Sequence, residues 1–141
     1  MQINTKIRYG MRTMIELGLD KKKEGVFQKD IARNQDLSEK YLDSIISSLK
    51  TAGLIRNTSG KKSGYVLNRP AGKISVYDIY RAFEQPVLIP CICDDDFCKR
   101  TVVCAAKKYW SGLNESIVRH MKKETLARLV RETAIMAANA K

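Results

Sequence analysis

The sequence predicts a mainly α-helical chain with one small β-hairpin and a long amphipathic helix near its end. Three observations predict it. Apolar residues recur at helical spacing in several stretches separated by Gly, Pro or capping residues. Two short β-prone runs, Leu54-Ile55-Arg56-Asn57-Thr58 and Tyr65-Val66-Leu67, flank the turn cluster Ser59-Gly60-Lys61-Lys62-Ser63-Gly64. The chain has 141 residues, 44% hydrophobic and 29% charged, which suits one compact domain with an appendage.

The elements follow in order. Ile7, Met11, Met14, Ile15 and Leu19 share one helical face, with Asn4 or Thr5 as cap. The lysines at 21–23 followed by Gly25 read as the end of this helix, where cations complement the last turn. Val26-Phe27 is a short extended piece, and Gln28–Asn34 makes two helical turns with Ile31 and Ala32 inward. After the turn Gln35-Asp36-Leu37, Ser38 caps a helix whose Leu42, Ile45, Ile46 and Leu49 form one apolar stripe, ended by Gly53. The hairpin comes next. Val76, Ile79, Tyr80 and Phe83 then form a short helix, closed before Pro86. Tyr109, Leu113, Ile117 and Met121, with Trp110 alongside, mark the long helix, and its stripe is expected to pack on a second copy. Thr125 caps a last helix carrying Leu126, Leu129 and Val130.

Charge narrows the function. Lys and Arg number 26 against 15 Asp and Glu, a net charge of +11, and residues 1–72 alone carry +7. Such a surplus suits a polyanion, because basic side chains displace counterions from phosphates; a membrane surface or an acidic protein would satisfy charge alone. There is one His, no GxGxxG or GxxxxGK[ST] loop and no nucleophile elbow, so nothing argues for an enzyme. No apolar run is long enough to span a bilayer, and the first residues lack the apolar core of a secretory signal. A cytoplasmic location is expected.

Two helices joined by a short turn, with small Ala32 where they approach, form a helix-turn-helix pattern. A basic hairpin directly after it makes the pattern a winged helix, with Arg56, Ser59, Lys61 and Lys62 on the wing. The first turns of such a recognition helix reach base edges while its amides meet phosphate.

Over essentially its whole length the chain resembles the IscR/NsrR/CymR-type family of bacterial winged-helix transcription regulators. The resemblance is carried by Lys6-Ile7-Arg8-Tyr9-Gly10, Ser38-Glu39-Lys40-Tyr41-Leu42 and Leu49-Lys50-Thr51-Ala52-Gly53-Leu54-Ile55. It continues through Gly64-Tyr65-Val66-Leu67-Asn68-Arg69-Pro70, Ile74 to Ile79, and the cysteine loop leading into Tyr109-Trp110. It implies a homodimer held by the long helix, with two recognition helices on a palindromic operator in double-stranded DNA. By position it implies base reading by Ser38, Lys40, Tyr41, Asp43 and Ser44, although Tyr41 equally suits the core. Many relatives place an Arg at position 59 in the minor groove; here the residue is Ser59, with Lys61 and Lys62 nearby.

The four cysteines, Cys91, Cys93, Cys98 and Cys104, fall within fourteen residues. In a reducing compartment they argue against structural disulfides, and short irregular spacings let thiolates converge on one soft metal centre. Zinc favours tight CxxC knuckles, absent here, whereas iron–sulfur clusters accept irregular loops. The resemblance adds that sensing members hold one cluster per subunit through three such cysteines, here as a 2Fe-2S cluster in the first instance or a 4Fe-4S cluster. Cys91 and Cys93 straddle the first ligand position. The place of a fourth-ligand His in relatives is taken by Lys107, which cannot ligate as a cation. His120 lies sixteen residues past Cys104, roughly 24 Å along a helix, and is out of reach within one chain. The spare cysteine or one of Asp94–Asp96 is the better candidate.

The chain is therefore expected to divide into a winged helix-turn-helix DNA-binding domain (1–84), a cysteine loop (85–106), and a dimerisation helix with a C-terminal helix (107–141). Its expected function is DNA-binding transcription regulation tuned by the cluster. The alternatives are the same regulator working through thiol oxidation or a partner protein, and a redox or electron-transfer protein.

Overall fold

The computed structural model describes residues 1–60 and 63–141. Helix α1 (Thr5–Leu19) begins at Asn4, whose side-chain oxygen accepts from the Ile7 N–H at 2.9 Å. It stops at Asp20, so Lys21–Lys23 lie beyond its last turn rather than in it. The reason is local: the Asp20 carboxylate accepts from the Gly25 N–H at 2.9 Å and closes the loop there.

Helix α2 (Gln28–Gln35) ends at Asp36 in the left-handed region, and α3 (Glu39–Thr51) follows. Ser38 caps α3, its hydroxyl oxygen accepting from the Tyr41 N–H at 3.1 Å. Leu42, Ile45, Ile46 and Leu49 are buried against Met14, Leu17 and Ile31, as the apolar stripe predicts. Burial of each such side chain favours folding by about 1.5–3 kcal/mol, so this one face anchors α3 to α1 and α2.

Strands β1 (Ile55–Asn57) and β2 (Tyr65–Leu67) pair antiparallel, with Arg56 opposite Val66. Val26 bridges to Tyr65 on the other edge of β2, through hydrogen bonds of 3.0 and 2.9 Å. Gly64 makes that approach possible, because a Cβ there would sit 2.8 Å from the Gly25 carbonyl carbon and 2.9 Å from the Val26 nitrogen. Backbone cannot swing aside as a side chain can. Gly64→Ala is expected to lower stability by about 1–3 kcal/mol, read as a shift of the urea midpoint. An unchanged midpoint would mean that the Val26 bridge is dispensable.

Helix α4 (Val76–Arg81) opens with a reciprocal cap between Ser75 and Asp78. Helices α5 (Ala105–Lys123) and α6 (Leu126–Asn139) complete the fold. Thr125 caps α6, and Leu126 N–H donates to the Ile74 carbonyl at 2.8 Å. Leu126 is wholly buried in the main core, while α6 lies along α1 with Val130 against Gly18. The last helix is thus part of the winged body.

The expected outward stripe of α5 needs correction. Met121 is buried with Ile7 and Tyr80, and Ile117 packs against the same cluster. Only Tyr109, Trp110 and Leu113 remain exposed. Steps of four residues on a 3.6-residue helix drift by about 40° each, so Tyr109 and Met121 point about 120° apart. One face of α5 therefore turns inward along its length. Beside it the Tyr80 hydroxyl donates to the Gln2 carbonyl at 3.0 Å, and burial raises this phenol above its ordinary value, keeping it a neutral donor. Among the described residues, no helix is long and apolar enough to cross a membrane.

Candidate nucleic-acid interface and cysteine loop

The first turns of α3 present Ser38, Lys40 and Asp43 to solvent. Tyr41 is half-buried, its ring edge-to-face with Tyr9 at 6.2 Å. Ser44 is half-buried too, and its hydroxyl donates to the Tyr41 carbonyl at 2.9 Å. Arg56 and Ser59 are exposed at and just beyond β1. Lys61 and Lys62 lie outside the described residues.

Gln28 is a functional candidate that sequence reasoning passed over. Its amide donates to the Glu39 carbonyl at 3.3 Å and to the Asp43 carboxylate, and its carbonyl accepts from the Tyr65 hydroxyl at 3.4 Å. One side chain thus links α2, the recognition helix and the wing. Lys50 adds a second link, its ammonium 5.9 Å from the centre of the Tyr65 ring. A polar residue at the start of a helix gives no sequence signal for such a bridge.

The cysteine loop is built from single 3-10 turns at Pro90–Ile92, Asp95–Phe97 and Thr101–Val103. All four thiols are free; Cys93 is exposed and Cys91, Cys98 and Cys104 are half-buried. Cys104 caps α5, its sulfur accepting from the Lys107 N–H at 3.4 Å. The Lys107 ammonium pairs with the Asp95 carboxylate at 2.6 Å, which ties the acidic run to the first turn of α5. Such a surface pair adds little stability. Among the described residues, no three His, Cys, Asp or Glu side chains stand close enough together to hold a metal ion. The donors fit a soft metal centre in kind and number; their sulfurs are not gathered.

A helix-turn-helix with an adjoining wing defines a winged-helix DNA-binding protein of the transcription-regulator class. The family model that matches residues 3–132 is Rrf2, described as an iron-dependent transcriptional regulator. Protein rrf2 of Nitratidesulfovibrio vulgaris is 34% identical, across 99% of this chain and 94% of that protein. Among solved structures, CymR, described as the global cysteine regulator of B. subtilis, has a TM-score of 0.77 at 30% identity, covering 94% of this chain and 98% of that one. T. potens IscR has a TM-score of 0.75 at 29% identity, covering 94% and 88%. The chain belongs to the Rrf2 family of transcriptional regulators.

Proposed function

We propose that two copies of this chain bind a palindromic operator in bacterial cytoplasm, and that the state of the cysteine loop sets their affinity for it. The observation that carries the reading is the exposed polar start of α3, held beside the wing by Gln28, in a chain whose cysteine loop leads straight into α5. Ser38, Lys40, Tyr41, Asp43 and Ser44 would face base edges. Arg56, Ser59, Lys61 and Lys62 would meet the phosphate backbone and minor groove. The exposed Tyr109, Trp110 and Leu113 supply the contact between copies.

In the loop, Cys98, Cys104 and either Cys91 or Cys93 would hold an iron–sulfur cluster, the favoured form being 2Fe-2S and the other 4Fe-4S. The remaining cysteine or a carboxylate of Asp94–Asp96 would complete the set. When bound, the cluster supplies a link across the loop that responds to iron and oxidants. The family's description as iron-dependent supports this reading. A second reading, thiol chemistry without a cluster, draws on the sulfurs not being gathered and on the relative described as a cysteine regulator.

The test is selection of genomic fragments by the protein purified without oxygen, with iron retained and with iron removed. Enrichment of a two-fold symmetric sequence in one state over the other is expected; no sequence enrichment in either state overturns the regulator reading. Variants separate the roles within the interface. Lys61→Ala with Lys62→Ala should weaken all DNA alike and lower the slope of log K against log salt by about 1–2. Lys40→Ala should instead narrow the gap between operator and other DNA by about 1–3 kcal/mol. Tyr41→Phe is the cleaner probe at its position, because Tyr41→Ala would also empty the contact with Tyr9.

A further inference from the structure

Asn114 on α5 is one of two buried polar side chains among the described residues, at 8% exposure. Its Oδ1 accepts from the Leu88 N–H at 2.7 Å, and its Nδ2 donates to the Pro86 carbonyl at 3.1 Å. A primary amide used this way satisfies one donor and one acceptor of the same backbone stretch, as a neighbouring strand would. The Val87 carbonyl between them accepts from the Met1 ammonium at 2.7 Å. Residues 86–88 are thereby fixed just ahead of Cys91.

Past this point the loop's backbone bonds are local. Cys93 N–H reaches Pro90, Phe97 N–H reaches Asp94, and Thr101 N–H reaches Cys98. At its other end the loop runs covalently into the first turn of α5, with Cys104 as cap. Both ends of the loop are therefore fastened to one helix, at points ten residues or about 15 Å apart along it. A change in the distance between Cys91 and Cys104 cannot be taken up by slack at the loop's entry. What the loop's own turns do not absorb bears on α5, whose Met121 packs on Ile7 and Tyr80 in the winged body.

We propose that Asn114 is the positioning residue that passes the state of the cysteine loop to α5 and so to the DNA-reading body. The inference rests on the reading of the loop as the sensing element. The test compares Asn114→Leu, which removes both hydrogen bonds, with Asn114→Asp, which keeps the acceptor for Leu88 and loses the donor to Pro86. Operator affinity is measured on iron-loaded and iron-free protein, and the visible absorption of the loaded form is recorded alongside. The wild-type affinities should differ by a factor of about 5–150 between the two states. In Asn114→Leu the two should come within about twofold while iron content and absorption remain, because no cysteine is touched. Asn114→Asp should fall between.

If Asn114→Leu keeps the wild-type ratio and merely melts earlier, Asn114 is a structural amide and the inference is overturned. A wild type with no difference between its states overturns the sensing reading instead, and the coupling with it. Should Asn114→Leu not fold, hydrogen exchange on the wild type decides. The amides of Val87, Leu88 and Ile89 and those of the first half of α5 should change together on iron removal, and a change confined to the loop overturns the coupling.

Discussion

Cys98→Ala and Cys104→Ala are each expected to abolish bound iron, acid-labile sulfide and visible charge-transfer absorption in protein made and kept without oxygen. A thiolate-held cluster needs every member of its ligand set, so the loss should be complete rather than graded. Cys91→Ala and Cys93→Ala should split. One removes the cluster; the other leaves it, or leaves it labile if the second sulfur is the fourth ligand. Cys91 is favoured as the essential one, because spacings of six and then five residues seat three sulfurs more evenly around one centre. Folding should survive in all four variants, since none of these cysteines belongs to either buried cluster. Cys104 calls for a control, because its sulfur also caps α5. Cys104→Ser keeps a cap and should still lose iron, which separates ligation from helix initiation. Protein that carries neither iron nor sulfide under these conditions would remove the cluster from the proposal and leave thiol chemistry in its place.

The loop as it stands suits such a rearrangement. Its turns are closed by neighbours three or four residues apart, and Phe97, Val102 and Val103 are exposed despite their apolar character. Little tertiary packing has to be broken for the sulfurs to converge. The wing and α3 are different in kind, since each is held by a buried face and by side chains from other elements.

That difference also decides what could be read from residues alone. The stripe Leu42, Ile45, Ile46, Leu49 and the cap Ser38 are local signals, and they place α3 within a residue of where it lies. The β-prone runs about the turn cluster place the hairpin for the same reason. What the residues do not carry is azimuth over a long helix. Tyr109 to Met121 looks like one stripe in the sequence, yet accumulated drift turns its lower end into the core. Partner choice by isolated polar groups is equally silent. Nothing near Gln28 or Asn114 marks them as bridges, because their partners are a helix end, a strand tyrosine and a backbone stretch 11 to 37 positions away. The role of α6 was hidden too: Leu126 is one apolar residue among several, and only its seat beside Ile74 shows that it completes the main core.

The corrected direction of α5 selects the substitutions that test assembly. Ile117→Asp would put a carboxylate against the cluster of Ile7, Tyr80 and Met121, and would report on folding instead of association. Tyr109 and Leu113 are 64% and 37% exposed, one turn apart and outside both buried clusters, so both can change without opening the core. Trp110 stands beside them, edge-to-face with Tyr109 at 5.1 Å. Three large apolar side chains on one exposed helical segment, continued by Val102 and Val103, make a patch that a two-fold contact would bury at once on both copies. Tyr109→Asp with Leu113→Asp is therefore expected to give monomers in sedimentation velocity, with an unchanged far-ultraviolet circular dichroism spectrum. Operator affinity should fall by a factor on the order of 10²–10⁴, because each half-site must then be bound without the other as a tether. Tyr109→Asn with Leu113→Asn should also give monomers while adding no negative charge, so repulsion from DNA is not the cause of the loss. A wild type that sediments as a monomer at micromolar concentration, or a double variant that still sediments as a dimer, would move the contact between copies elsewhere on the molecule.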